Sequence, residues 1–399
     1  MKKIALLLFL VPFYAGAAGA YDLGVLLDQT AGMDGIGDET AFDYSAALIP
    51  WFSTPLGDAG DVFVSAGLTA GYEDKKGFFI PELLRTEISW RFNSALRLRA
   101  GRLLYTDPVD FVVDGLLDGA QVFYNTAVGT FNAGFMFSGL LYKKTTRITM
   151  TAEDFISYYD DDKYVASQRM LLAVGWEHPA LMELVRLRGS FTGQFDLNGG
   201  DAPYHSQYLT VKAGMPLQRF VLELGGALQI AQGAAQDAHE SGVALAGEIG
   251  VSWEPPAAFQ SRISFNGRFS SGRTESGSVV AFVPVTTMDQ GDVLKAKLSG
   301  LSALNLDYTA RFRRELSSSL GLTYFVRSDL GTYMGYPAGV ATEDGYFLGG
   351  ELFGRVIWSP VSDVRLNAGG GVFLPAMGNA APDAEPQWRI ELNLIMALY

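Results

Sequence analysis

Arginines recur at two-residue spacing through this chain, and each sits between apolar neighbours. Arg186 and Arg188 alternate with Val185, Leu187 and Gly189, and Arg262 and Arg268 flank Ile263, Phe265 and Gly267. Arg311 and Arg313 stand between Ala310 and Phe312. Guanidinium groups keep their charge at every relevant pH, so a row of them beside water is a fixed positive field that concentrates anions. Arg97, Arg99, Lys212, Arg355 and Arg365 fit the same pattern, and together these residues are the candidate lining of an aqueous pore. Acids on the same face are fewer: Asp43, Glu87, Glu223, Glu248, Asp307 and Glu351. The alternative is cross-strand pairing of these acids with the arginines, which would hold the wall together with little selectivity.

Other chemistry has no support. The three histidines, His178, His205 and His239, all fall in predicted turns or at strand ends, with no Ser or Asp partner on a shared wall. No phosphate-binding loop or His-carboxylate metal spacing occurs, so no enzyme, cofactor or metal site is expected. Asp160, Asp161 and Asp162 alone do not make a calcium site, which needs six or more converging oxygens.

The elements that position the arginines are strands. From Val185 to Phe195 the odd residues are apolar or glycine, and the even ones are Arg, Arg, Ser, Thr and Gln. This period of two suits a wall with lipid on one side and water on the other. A slip of one residue would aim Arg186 and Arg188 at hydrocarbon, at roughly 2–4 kcal/mol each near the midplane. The rhythm returns in eighteen segments: 21–28, 41–52, 61–72, 82–92, 95–105, 118–125, 128–138, 166–177, 183–196, 204–215, 218–230, 241–254, 258–270, 303–313, 316–327, 345–358, 362–374 and 386–399. The fold expected is all-β, a transmembrane antiparallel β-barrel of eighteen strands, with sixteen the alternative count.

Eight connections are short and nine longer, among them 106–117, 139–165, 271–302 and 328–344. That alternation matches periplasmic turns and extracellular loops. Five of the six tryptophans, Trp51, Trp90, Trp176, Trp253 and Trp358, precede short turns and are predicted to form an aromatic rim at headgroup level. The last segment alternates Trp388, Ile390, Leu392, Leu394, Met396 and Leu398 with Arg389, Glu391 and Asn393. It resembles the final strand of bacterial outer-membrane barrels, whose terminal aromatic is read by the insertion machinery. Tyr399, however, falls in step with Asn393 rather than with the apolar face.

Residues 1–20 read as a secretory signal: Lys2 and Lys3, an apolar run to Tyr14, then Ala18 and Ala20 before the cleavage point. Residues 21–399 form one barrel domain. No other stretch of roughly 18 apolar residues runs uncharged, so no spanning helix is expected. Removing the signal takes two lysines and no acids, leaving 28 basic against 43 acidic residues, a net charge of −15. Nucleic acid is therefore an unsuitable partner. The acids gather in loops, and the absence of cysteine excludes disulfides.

The stretch from Leu96 to Tyr124, LRLRAGRLLYTDPVDFVVDGLLDGAQVFY, resembles a hairpin of the alginate-export-type porins. That resemblance implies an eighteen-stranded barrel whose basic lumen passes an anionic solute, with Arg97, Arg99 and Arg102 as lumen contacts. Two loops are candidates for a constriction: 139–165, with Lys143, Lys144 and Arg147 near one end, and 271–302, whose apolar run from Val279 to Val285 could form a hairpin. The function expected is a porin-like channel in the outer membrane for passive diffusion of small hydrophilic, anionic solutes. Its partners would be outer-membrane lipid, the insertion machinery and those solutes. The alternative is a surface adhesin that displays its loops.

Overall fold

The computed structural model describes residues 21–73, 75–199, 203–235, 238–239, 241–256, 259–274, 279–330 and 345–399. The export segment 1–20 lies outside them.

Eighteen strands make one closed antiparallel sheet. In chain order they are β1 Asp22–Ile36, β2 Glu39–Leu56, β3 Gly60–Glu73, β4 Lys76–Arg91, β5 Leu96–Thr106 and β6 Asp114–Thr126. There follow β7 Gly129–Phe137, β8 Arg169–Leu181, β9 Val185–Asp196, β10 His205–Leu217, β11 Phe220–Gln232 and β12 Gly242–Trp253. The circuit ends with β13 Gln260–Ser270, β14 Leu301–Arg311, β15 Leu316–Arg327, β16 Phe347–Val361, β17 Val364–Leu374 and β18 Gln387–Leu398. Each strand pairs with its sequence neighbour, and β1 pairs with β18 from Val25↔Leu398 to Ile36↔Gln387, so the sheet has no free edge strand. Closure satisfies every ladder within the wall, the condition for a sheet in hydrocarbon.

Alternation sets the two faces. On β8 and β9, Leu172, Val174 and Phe191 are exposed while Leu171, Ser190, Thr192 and Gln194 are buried. The outward face is apolar around the circuit, for example Leu224, Ile249, Leu306, Leu320, Leu352 and Leu392. No helix among the described residues is long and apolar enough to cross a membrane.

All eighteen segments read from the sequence are strands. The first is the largest correction, because β1 runs on to Ile36. Its second half breaks the apolar rhythm with Gln29, Thr30 and Gly32, yet it holds full register with β2 and β18. Two loops expected to be long are tight instead: β1 and β2 are separated only by residues 37–38, with Gly37 at φ 55°, and β3 ends at Glu73 before β4 starts at Lys76. Arg313 lies beyond β14, in the turn to β15. On the other rim the turns are chemically explicit: Met182 and Glu183 both take positive φ between β8 and β9, and Asn93 Oδ1 accepts the N–H groups of Ala95 and Leu96.

Candidate functional site

Three connections on the long-loop side turn into the barrel. The tightest joins β5 to β6. Asp107 is buried, and its carboxylate accepts the N–H groups of Val109, Val112 and Val113, each at 3.0 Å. That clamp curls residues 107–113 into a compact hook whose Val109, Phe111, Val112 and Val113 are almost wholly buried. Burial raises the Asp107 carboxyl to about 6, against the pull of its three backbone donors.

The hook reaches far. Asp110 lies 3.2 Å from Lys212 on β10, Lys212 lies 2.7 Å from Glu248 on β12, and Arg268 on β13 sits over the Phe111 ring. From β5 to β13 is eight strands around the circuit, and Lys212, Glu248 and Arg268 are mid-strand. Only a path through the lumen connects them. The hook also accepts β13–β14 loop contacts, since Val285 N donates to Val112 O and Asp114 N donates to Thr286 Oγ1.

The second connection, between β7 and β8, carries α1 Lys143–Thr146 and α2 Ala152–Tyr159. Thr151 and Asp154 form a reciprocal capping box at the start of α2. Asp154 also receives Arg169 of β8 at 2.6 Å, and Arg169 reaches Asp196 of β9 at 2.6 Å, with its side chain fully buried. The third connection, between β13 and β14, is fastened to the opposite wall. Val283 N donates to Gln229, Tyr208 Oη donates to Val283 O, and Glu351 of β16 accepts the N–H groups of Asp292 and Leu294. The run from Val279 to Val285 is no separate hairpin: Phe282 and Val285 are fully buried in an apolar cluster with Phe111, Tyr208 and Met150. The hairpin of this loop lies later, pairing Asp289–Gln290 with Ala296–Lys297.

Together the three loops narrow the lumen and leave space on both sides. Toward the loop rim are cavities of about 510 and 420 Å³, both lined by Asp34, Lys295 and Arg389. Toward the short-turn rim are cavities of about 200 Å³, with Arg99 and Arg188, and about 830 Å³, with Arg219, Arg262, Arg311 and Arg355.

The candidate cations divide into two groups. Arg99, Lys212, Arg268 and Arg355 are engaged: Arg99 with Glu87 at 2.5 Å, Arg268 with Glu248 at 3.4 Å, and Arg355 with Asp292 at 3.1 Å and Glu391 at 3.0 Å. Arg97, Arg186, Arg188, Arg313 and Arg365 make no ion pair among the described residues; Arg97 lies over the Phe123 ring at 4.7 Å, and all but Arg188 are exposed. All five lie near the short-turn rim. Arg262 meets Glu254 at 2.7 Å, and Arg311 donates to Arg314 O.

Arg102 departs from the pattern. It shares the parity of Leu104, which is exposed on the outer face, and Asp118 stands directly opposite it. β4 and β5 pair only from Thr86↔Arg102 to Arg91↔Arg97. Above that point the Arg102 guanidinium closes the seam, donating to both Asp118 oxygens, to Leu83 O and to Leu140 O. Gly101 is required there, because at φ 118° a Cβ would stand 2.0 Å from Thr86 O.

Among the tryptophans, Trp90, Trp253 and Trp358 are exposed with the outward residues, and Trp176 Nε1 donates to Val128 O. Trp51 faces the other way: its cross-strand partner Ser65 is buried, and its ring stacks on Phe63 and meets Tyr399 edge-on at 6.0 Å. The odd phase of Tyr399 thus follows from an inward contact. The hook residues Asp107, Asp110 and Phe111, and the anchors Asp154 and Glu351 in their tethering roles, escape the two-residue rhythm. A run of four apolar residues in a loop, Val109 with Phe111, Val112 and Val113, was the available signal of burial.

No protein-family model and no curated protein sequence matches the chain. Solved structures do. OprD of Pseudomonas aeruginosa, an outer membrane protein, superposes with a TM-score of 0.62 at 14% identity, covering 95% of this chain and 93% of that one. OccK2 (OpdF) of the same organism gives 0.64 at 11% identity over 95% and 97%, and its complex with glucuronate gives 0.62 at 11% over 95% and 96%. At these identities the likeness is one of architecture: the chain has the closed eighteen-stranded barrel fold of the Pseudomonas outer-membrane porins.

Proposed function

We propose that this chain is a channel of the bacterial outer membrane for passive diffusion of small, hydrophilic, anionic solutes. The observation that carries the reading is the division of its cations. Those at mid-strand are neutralised by Glu87, Glu248, Asp110 and Asp292 and fasten loops, whereas Arg97, Arg186, Arg188 and Arg365 keep uncompensated charge beside the short-turn mouth. A narrowed, water-filled barrel with fixed positive charge favours anions. The outward apolar face supports a lipid environment. The OccK2 complex supports the solute class by analogy, since glucuronate is a small hydrophilic anion. On this reading residues 1–20 direct export, and the pore-lining set is Arg97, Arg99, Arg186, Arg188, Lys212, Arg262, Arg268, Arg311, Arg355 and Arg365. Arg313 contributes from the turn and Arg102 from the wall seam. Trp90, Trp176, Trp253 and Trp358 supply the headgroup-level rim.

Liposome swelling with the refolded barrel tests the proposal. Faster swelling in gluconate than in a cationic solute of matched size is expected. A folded barrel that passes neither solute would refute it.

A further inference from the structure

The 510 Å³ cavity on the loop side carries a composition unlike the rest of this acidic chain. Arg147, Lys295, Lys297 and Arg389 line it against only two carboxylates, Asp34 and Asp289. Asp34 is already shared with Arg389 at 3.5 Å, and Arg147 lies only distantly, at 3.9 Å, from Asp114. Lys295 is exposed and makes no ion pair among the described residues, while its left-handed backbone (φ 50°) stands between the buried Leu294 and Ala296. Lys297 is held in place without a carboxylate contact: its Nζ donates to Thr149 Oγ1 at 3.2 Å and lies 4.9 Å from the Phe155 ring centre.

The remaining wall is aromatic. Phe155, Tyr158 and Tyr159 project from α2, with Phe155 and Tyr159 4.8 Å apart and Tyr158 edge-on to Tyr159, and Trp388 of β18 lies across the cavity. Trp388 packs so closely on Gly35 that a Cβ there would lie 2.7 Å from the indole, which fixes the ring. Thr287 and Gln387 add polar groups at the same walls. Surplus cations call for an anion, and flat rings on two sides call for a flat or chair-shaped body between them. The volume lies in the range that holds small-molecule ligands.

We propose that this cavity is a binding site, on the loop side of the constriction, for a carboxylate carried on a six-membered ring. The carboxylate pairs with Lys297 and Lys295, and the ring lies against Tyr159 and Trp388. A sugar acid and an aryl acid share this chemistry; Gln387, Thr287 and Asp289 would add hydrogen bonds only to the sugar. The site deepens the channel reading and rests on it for its biological sense. Its location also follows from the fold, because α2, the β13–β14 hairpin and the β1–β18 closure meet only here.

Isothermal titration of the detergent-folded full chain tests it with four probes: glucuronate, benzoate, glucose and acetate. The expected result is that at least one ring carboxylate binds roughly tenfold or more tightly than both glucose, which lacks the charge, and acetate, which lacks the ring. Tighter glucuronate identifies the sugar source, and tighter benzoate the aryl one. Lys297→Met and Tyr159→Ala, each verified as folded by heat-modifiable migration, should weaken that ligand by roughly tenfold. Binding of acetate or glucose equal to that of both ring acids overturns the proposal, as does no binding at all. Bilayer conductance on the same sample separates the two readings: an open channel without ring-acid binding overturns only the site, and a closed barrel that binds overturns only the channel.

Discussion

The guanidinium of Arg169 and the carboxylate of Asp154 meet at 2.6 Å with both side chains out of reach of solvent. One group belongs to the wall strand β8 and the other to the first turn of α2, so this contact bolts a folded loop onto the inside of the barrel. Asp196 completes the pairing from β9. Removing one partner of such a buried pair leaves the others charged and unsolvated, at about 3–5 kcal/mol.

Arg169→Met should therefore release residues 138–168 while the wall survives. Lys143, Lys144, Arg147 and Lys163 would become open to trypsin, and single-channel conductance should rise with greater noise. Mass analysis of timed digests checks this. Protection equal to that of the parent chain would mean that the loop is held by its other contacts.

Lys212 bridges the hook at Asp110 to Glu248 on the facing wall. Replacing it with Met leaves two carboxylates facing each other without their cation, but the buried Val109 and Phe111 still seat the hook. The predicted outcome is a folded barrel whose chloride preference over potassium is lower, read from the reversal potential in a salt gradient. An unchanged reversal potential would place the current path away from the hook.

Arg186 and Arg188 have no acidic partner among the described residues, so reversing their charge breaks no ion pair. The double change to Glu should shift selectivity toward cations by roughly twofold or more at low salt and far less at 1 M, because screening there acts within about 3 Å. Stability should hold. A strong loss of folding would show these arginines to be structural.

The outward face can be tested through Val174, exposed at the middle of β8. Val174→Arg should cost about 2–4 kcal/mol in folding into lipid bilayers. Thr192→Arg, on the inward face of the neighbouring strand and fully buried beneath the loops, should instead disturb the constriction. Equal folding of Val174→Arg and the parent in bilayers would contradict the assigned register.

Asp107 gives a pH dependence. Burial raises its carboxyl to about 6, above the value near 3.9 of an unfolded chain. The folded state thus binds this proton more tightly, and the contribution of Asp107 to stability rises as pH falls from about 7 to about 4. Asp110, Lys212, Glu248, Tyr105 and Tyr208 surround it and are shared by the comparison variant. The heat-unfolding midpoint of the parent, measured relative to Asp107→Asn, should increase over that range. A relative decrease on acidification would show that the ionised form is the one the hook requires.

Much of the wall was legible because lipid on one side makes every second residue apolar, as Phe191 beside Ser190 and Leu172 beside Leu171 illustrate. Where both sides are satisfied by other means the rhythm fades. The second half of β1 was missed because Gln29 is outward yet hydrogen-bonded to Tyr44, and Gly32 makes room for the Asp43 carboxylate. The arginines were read as one population. Their division depends on which acid lies across the strand or in a distant loop, as with Arg102 and Asp118 or Arg169 and Asp154, and strand periodicity does not encode loop partners. The hook was written in the chain as Asp107 followed by an apolar run, but its target on β10 to β13 is set by three-dimensional closure.

The most direct test of the central claim is a planar-bilayer recording of the purified, refolded barrel in a tenfold KCl gradient. A steady open conductance is expected, with a reversal potential on the chloride side that moves toward zero in Arg186→Glu/Arg188→Glu. No conductance, or a clear potassium preference in the parent chain, would contradict it.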